Sequence, residues 1–555
     1  MNWPWSALPA DRWRLVCWIA VVGIALWLRL WQLHLQLLLD DEWHALHRLM
    51  EADWRSIALS FGLADYSIPL TLLFNALYES IGLHEWHMRA LPLLSGLLAV
   101  VLVPALLRPW LDGRERCLLG LLIALSPLLI HFSRQVRPYA LVILLGFVAI
   151  VALWRWWHEE DRRWLLLFVP AAVLSAWLHA LTAVFVGAAL TWFGLAGLGH
   201  WWRHGRVQPL LVLLATGITT VAACSALILP PLLTTPQAIG EKAGVDQITV
   251  ETLLRSWELL VGSVQPLVAI GMLALVLLGG WRLWGRDRGF VLYWCWLLAA
   301  SVMVITVLRP AWIHHALVFV RYNAVVLPML LALVAVGTVR LASLLPVGTL
   351  ARARPAMPVV AGLLLGSVLY LSGPLPKLYG SINQFTNATR HQFDYNAERT
   401  PFAFLEELPV PEFYRDIAAA DGRWEVIEAP WHFETTMSPL GEYQQVHGRP
   451  VRIGMISGLC TDWTWGEVPL SDRDRIKLPR FVHLSELAAH PEKARHRFVV
   501  FHLEPAFEPV RPLPPVDECV DAFRDRFGSP WFEDDRHVVF RLAGASDDDG
   551  QASRP

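Results

Sequence analysis

The residues best suited to chemistry come early in the chain, where Asp40-Asp41-Glu42 follows directly on the apolar Leu37-Leu38-Leu39. Carboxylates at the mouth of an apolar helix are costly unless they are solvated, paired or bound to a cation. Such a carboxylate can accept a proton from an acceptor hydroxyl or amine. It can also help to hold a divalent metal that neutralises a phosphate leaving group. The same trio also reads as a solvated helix end. A second group is Ser133-Arg134-Gln135-Val136-Arg137-Pro138-Tyr139, set between two apolar runs. Arginine suits phosphate because its planar fork makes paired, charge-assisted hydrogen bonds; the competing reading is a headgroup anchor. Arg321-Tyr322-Asn323 opens another apolar run just after Arg309, His314 and His315, and adds cations of the same kind. His179 closes an apolar run and reads as a satisfied interfacial histidine rather than a catalytic one.

These groups have to be positioned by membrane helices. The chain has 555 residues, of which 55% are hydrophobic and 17% charged, with a mean hydropathy of +0.43; a soluble protein carries roughly 25% charged residues. Apolar runs suited to spanning helices lie near 13–33, 89–108, 116–132, 138–157, 164–180, 181–200, 209–231, 255–280, 290–308, 319–341 and 357–373. The first reads as a signal anchor. The clusters Arg108/Arg114/Arg116, Arg155/Arg162/Arg163, Arg203/Arg206, Arg282/Arg286/Arg288 and Arg340/Arg352/Arg354 follow every second run. The positive-inside trend puts them in the cytoplasm. The loops 34–88, 133–137, 232–254 and 309–318, the turn at 180 and everything after 373 then face outward. Residues 66–83 are apolar but contain Asn75 and Glu79 and begin beside Pro69. Counted as a span they would invert the pattern, so they read as an interfacial or re-entrant helix, and 44–60 as a second one. The expectation is about eleven spans, N-terminus in and C-terminus out. The carboxylates and Arg134, Arg137 and Arg321 then share the outer side, against the trend for cations.

The charged residues concentrate after 374. The chain divides into a membrane domain, 1–373, a soluble α/β or α+β domain, 374–543, and a polar tail, 544–555, of disordered composition. Strand-like runs lie at Trp424–Ile427, Val451–Ile456 and Phe498–Phe501, and a helical stretch at Pro411–Ala420. Net charge is −2, which points away from nucleic acid. Many of the 29 Trp sit at the ends of apolar runs, at headgroup depth. Of six Cys, only Cys460 and Cys519 lie in the C-terminal domain; on an oxidising side they are able to pair, if the fold brings them within reach. No internal repeat points to an inverted-repeat transporter, and no Gly-rich phosphate loop points to a nucleotide cofactor.

In order along the chain, four places resemble the GT-C superfamily of polyprenyl-phosphate-sugar glycosyltransferases. The similarity is to the bacterial branch related to protein O-mannosyltransferases and the aminoarabinose transferase of lipid A. They are Asp41-Glu42 in the first outer loop; Tyr66-Ser67-Ile68-Pro69-Leu70, where the family has a His-Pro-Pro-Leu-like start to a juxtamembrane helix; Arg89-Ala90-Leu91-Pro92 with Ser95-Gly96; and Ser126-Pro127 followed by Ser133 to Ala140. The resemblance covers roughly 13–345 at the level of layout and leaves the C-terminal domain unassigned. It implies a GT-C-like fold in the bacterial inner membrane, with a site at its periplasmic face. The donor would be a sugar on undecaprenyl phosphate, and the acceptor an envelope lipid, protein or glycan. It implies Asp41 as the catalytic carboxylate, with Glu42 and Asp40 beside it in the catalytic group, Glu42 serving for positioning or, with Asp41, for a divalent cation (Mg or Mn). Arg134, Arg137, Tyr139, Arg321 and Tyr322 would face the donor phosphate. The altered His-Pro-Pro segment leaves donor and acceptor open. Asp462-Trp463-Thr464-Trp465-Gly466 differs in order and spacing from the oligosaccharyltransferase Trp-Trp-Asp motif and reads as chance, as does the sequon Asn387-Ala388-Thr389. The alternatives are a lipid-linked-saccharide transporter, a non-catalytic assembly protein, or an enzyme of the O-antigen ligase or polymerase type. Transporters concentrate charge at mid-membrane in broken helices; here it gathers at the outer interface.

Overall fold

The computed structural model describes residues 10–31, 33–34, 36, 38, 42–62, 65–240, 242–344, 357–376, 410–430, 440–456, 458–461, 481–494, 496–504 and 516–542. Asp40, Asp41, the sequon, the Asp462–Gly466 segment and the tail lie outside them. The first part is helical throughout: α1 Ala10–Leu30, α2 Trp43–Glu51, α3 Trp54–Leu59, α4 Ile68–Ile81, α5 Glu85–Leu106, α6 Gly113–Leu125, α7 Pro127–Arg134, α8 Tyr139–Glu159, α9 Arg163–Leu178, α10 Ala183–His204, α11 Gln208–Thr234, α12 Gln237–Gly240, α13 Val250–Val261, α14 Pro266–Trp284, α15 Arg288–Leu308, α16 Ala316–Asn323, α17 Leu327–Leu344 and α18 Met357–Ser372. Every run expected to span holds a helix. Among the described residues, seven helices are long and apolar enough to cross a membrane by length and composition, or eight if the bent pair α6–α7 is one span. Shorter apolar stretches lie in α1, α4, α9 and α18.

Local chemistry explains where the helices depart from the expected runs. The 255–280 run is two helices. Gly262 ends α13 in the left-handed region (φ 81) and Pro266 opens α14 at its first turn, so the long apolar helix starts at 266. The 44–60 stretch is also two, because Asp53 caps α3 by accepting from the Ser56 amide at 3.0 Å. Helix α4 has 14 residues, ~21 Å at the α-helical rise, short of the ~30 Å of a hydrocarbon core.

The two ends of the bundle are distinguished by direct contacts. At one end the basic clusters meet. Arg286 Nη1 lies 2.7 Å from Glu115 Oε2, and Trp110 Nε1 donates to Asp287 at 2.9 Å. Arg155 Nη1 donates to the Leu106 carbonyl at 3.4 Å. Tyr139 is at the opposite end of α8 from Arg155, a helix of 21 residues and so ~30 Å long. Helices α14 and α17 cross in backbone contact. A Cβ on Gly279 would lie 1.9 Å from the Leu333 carbonyl oxygen, and one on Gly337 would lie 2.1 Å from that of Leu275. Small residues permit such close crossings in a membrane.

The C-terminal domain is built on a six-stranded sheet of order β3-β2-β1-β4-β6-β5. The strands are β1 Glu425–Ala429, β2 Val451–Met455, β3 Phe481–His483, β4 Arg497–His502, β5 Phe532–Glu533 and β6 His537–Leu542. The first four pair in parallel, and β6 is antiparallel to β4 and to β5. This is the α/β form of the two classes expected. Ile427, Val499, Phe501 and Phe540 pack one face against Cys519 and Phe523 of the helix Val516–Phe527. Cys460 and Cys519 are joined in a disulfide, with Cα atoms 4.9 Å apart.

Burial pushes the His447 imidazole down to about 4 and lowers that of His537 as well. Folding therefore holds these rings neutral. Their stabilisation relative to the unfolded chain is intact above about pH 6.5 and is lost as pH falls towards the folded value. For His447 the loss amounts to about 3 kcal/mol. Pulse proteolysis of the full chain in urea, scored on the 410–542 region, is expected to show a lower midpoint at pH 4.5 than at pH 7. Equal midpoints would contradict the burial argument.

Candidate functional site

The site is built around the break between α6 and α7, which are bent by 59°. Pro127 has no amide hydrogen and holds Ser126 out of the helical region (ψ 115), so the α6 carbonyls lose their helical partners. Arg29, fully buried near the end of α1, replaces them, donating to the Ile123 and Ala124 carbonyls at 3.2 Å each. A cation at a helix C-terminus also meets the negative end of its dipole. Arg29 Nε reaches on to Ser133 Oγ at 3.2 Å. Gly96 of α5 passes at this point, and a Cβ there would fall 1.9 Å from Ser133 Oγ. Any larger residue at 96 would push α5 away from α7.

Beyond the break the chain turns through residues 134–138, and the next layer clamps that turn. Arg89 Nε donates to the Arg134 carbonyl at 3.1 Å and its Nη1 to that of Gln36 at 3.1 Å. Glu42 Oε1 accepts from the Val136 amide at 2.8 Å and lies 3.6 Å from Arg89 Nη2. Arg134 donates to Gln36 Oε1 at 2.9 Å and to the Arg29 and Trp31 carbonyls at 2.8 and 2.9 Å. It is completely buried. Arg134 and Glu42 thus form the wall that aims Arg137. Removing one partner of the buried Arg89–Glu42 pair would cost about 3–5 kcal/mol.

Arg137, Tyr139, Arg321 and Tyr322 come together although they belong to separate elements. The Arg137 and Arg321 guanidiniums lie 5.9 and 5.6 Å from the centroid of the Tyr139 ring, and Arg321 is 5.6 Å from that of Tyr322. His179, at the C-cap of α9, completes the group. Its ring is 6.1 Å from Tyr139 and 5.4 Å from Tyr322. Two guanidiniums on one aromatic ring concentrate positive charge at a point where an anion is attracted. The flanking loops are tied together here: Tyr66 donates to the Ala238 carbonyl at 2.9 Å and Thr252 to that of His314 at 2.7 Å.

Several residues of the site were not singled out from sequence. Arg29 had a signal, a lone charge inside an apolar helix. Gln36 had none. His179 was read as an interfacial histidine, and the fold sets its ring beside Tyr139 and Tyr322. As for a metal, Glu42 Oε1 is already engaged by the Val136 amide and Arg89. Among the described residues no three His, Cys, Asp or Glu side chains are arranged to hold one.

No family model and no curated protein matches the sequence. Solved structures do resemble it. The chain is similar to ArnT from Cupriavidus metallidurans bound to undecaprenyl phosphate, at 13% identity over 97% of this chain and 100% of that one, with a TM-score of 0.48. The apo form of the same protein gives 12% identity over the same shares and a TM-score of 0.49. The archaeal oligosaccharyltransferase AglB from Archaeoglobus fulgidus, in complex with an inhibitory peptide and a dolichol-phosphate, gives 13% identity over 89% of this chain and 70% of that one, with a TM-score of 0.39.

Proposed function

We propose that this chain is a membrane glycosyltransferase that moves a sugar from a polyprenyl-phosphate donor, undecaprenyl phosphate in a bacterium, to an acceptor in the cell envelope. The observation that carries this reading is the convergence of Arg137 and Arg321 on the Tyr139 ring, at one end of the bundle. Three of the basic clusters meet at the other end, which is the cytoplasmic one by the positive-inside trend. The paired guanidiniums, the first loop and the C-terminal domain then face the periplasm. A lipid phosphate at headgroup depth reaches the two arginines while its tail stays in the bilayer.

The reaction is a displacement at the anomeric carbon, with the polyprenyl phosphate as leaving group. Charge develops on the phosphate as the glycosidic bond breaks, and Arg137 and Arg321 stabilise it where low dielectric strengthens each contact. Asp41, the chain neighbour of the clamped Glu42, is the base that takes the acceptor proton, with Asp40 beside it. Glu42 and Arg134 are positioning residues. If a divalent cation (Mg or Mn) is bound, Asp41 and Glu42 are the residues that would hold it. It would add positive charge at the phosphate.

Asp41→Asn keeps shape and removes the base. Transfer is expected to fall by about 10²–10⁴-fold, with insertion and abundance unchanged. Mass spectrometry of envelope glycoconjugates from cells carrying the wild-type gene, the variant or neither reads this directly. A modified envelope component present at wild-type level in the Asp41→Asn strain would remove Asp41 from the mechanism. Its presence without the gene would remove the transferase reading.

A further inference from the structure

The C-terminal domain carries a polar cluster that the transfer reaction does not use. It lies where the sheet changes direction. From β1 the chain adds β2 and β3 on one side, then returns to place β4 on the other. In open parallel sheets, ligands settle in the crevice outside the carboxyl ends of the strands at this switch point. Here Glu428 is next to last in β1 and His502 ends β4. The two side chains meet, with His502 Nε2 at 2.7 Å from Glu428 Oε2, and Tyr414 donates to both carboxylate oxygens at 3.2 and 3.0 Å. Tyr443 stacks on Tyr414, centroids 4.4 Å apart, and lies parallel to His502 at 6.1 Å. Glu428 is almost wholly buried, and His502, its side chain 18% exposed, leads to the surface. Apolar residues would fill a helix–sheet interface at lower cost than a buried carboxylate, whose desolvation takes several kcal/mol.

A second, independent feature points to a ligand. Gln444 and His447 lie three residues apart on the helix Leu440–His447 and so share a face. The backbone of Arg449 orients both of them. Its amide donates to His447 Nδ1 at 3.0 Å, which leaves the ring proton on Nε2. Its carbonyl accepts from Gln444 Nε2 at 3.3 Å, which turns the amide oxygen the other way. Among the described residues, His447 Nε2 and Gln444 Oε1 are buried and meet no partner. Their residues are only 3% and 1% exposed. Burying such groups unpaired costs about 1–3 kcal/mol each. The His447 ring is 5.6 Å from that of Tyr414, so these two atoms belong to the Glu428 cluster.

We propose that this crevice binds a neutral sugar. The cluster presents one unsatisfied donor, His447 Nε2–H, and one unsatisfied acceptor, Gln444 Oε1. A fully ionised anion cannot donate to Gln444 Oε1, and an ammonium group cannot accept from the His447 imidazole. A hydroxyl does both, and adjacent ring hydroxyls satisfy both atoms at once. His502, the partly exposed member, sets its ring at the edge of the cluster, where a pyranose would enter. The inference does not rest on the transferase reading, since sugar binding in this domain is read with no donor present.

The test is saturation-transfer NMR on the full chain in lipid nanodiscs. Methyl glucoside and N-acetylglucosamine are the probes, and inorganic phosphate and ethanolamine the competitors. Transfer to the ring protons of at least one sugar is expected, falling below a third in Gln444→Leu and in His502→Gln and unaffected by either competitor. His502→Gln alters the partly exposed member, so it keeps the test decisive if the buried replacement does not fold; the thermal midpoint of each variant establishes that. Transfer to neither sugar overturns the proposal and leaves the buried atoms to water. So does transfer that the folded variants retain, or that phosphate or ethanolamine displaces.

Discussion

Replacing Arg137 and Arg321 together by alanine is expected to lower sugar transfer by roughly three to four orders of magnitude, on the scale of losing two donors that stabilise a developing anion. Each single replacement should cost about a hundredfold or more. Arg→Lys at either position should recover only part of it, because an ammonium keeps the charge and loses the planar fork. The loss should appear in kcat as well as in KM if the guanidiniums act on the leaving phosphate in the transition state. Neither side chain is part of the buried brace of Arg29, Arg89 and Arg134, so both variants should accumulate normally. Transfer assays on membranes normalised for protein check this; a double variant with near-normal rate makes the two arginines headgroup anchors.

The second large effect is structural and lies at the crossing of α14 and α17. Gly279→Leu or Gly337→Leu would place side-chain atoms where the partner helix has its backbone, since the first added carbon already falls 1.9 or 2.1 Å from a carbonyl oxygen. The helices must part, and the cost is expected to exceed about 4 kcal/mol, in the range of severe overpacking. Gly280, one residue along, has nothing within 4 Å of an added Cβ. Gly280→Leu is therefore the matched control. Detergent-extracted protein, followed by size-exclusion fluorescence, should be monodisperse for Gly280→Leu and largely lost for the other two. Equal behaviour of all three would mean that the helices are not in backbone contact.

The apolar runs were legible because lipid leaves the backbone few options: each spanning segment has to satisfy its own hydrogen bonds and stay apolar for its full length. The stop within the 255–280 run was written in Gly262 and Pro266, and hydropathy overrode it. Arg137, Tyr139, Arg321 and Tyr322 could be named as residue types suited to phosphate. What brings them together is the packing of α8 beside the segment after α16, which has no sequence signature. Arg134 and Arg137 look alike in sequence, yet the register of α7 turns the first into the wall. Gly279 and Gly280 are likewise indistinguishable until the partner helix is in place. Cys460 and Cys519 needed the sheet to bring them within reach.

The most direct measurement is native mass spectrometry of the purified protein with undecaprenyl phosphate. The wild-type chain should retain one lipid phosphate. Arg137→Ala/Arg321→Ala should need about a hundredfold more lipid to reach the same occupancy, on the scale of two lost charge-assisted contacts. Equal retention by the two proteins would contradict the placement of a lipid phosphate between these guanidiniums, and with it the donor side of the proposed reaction.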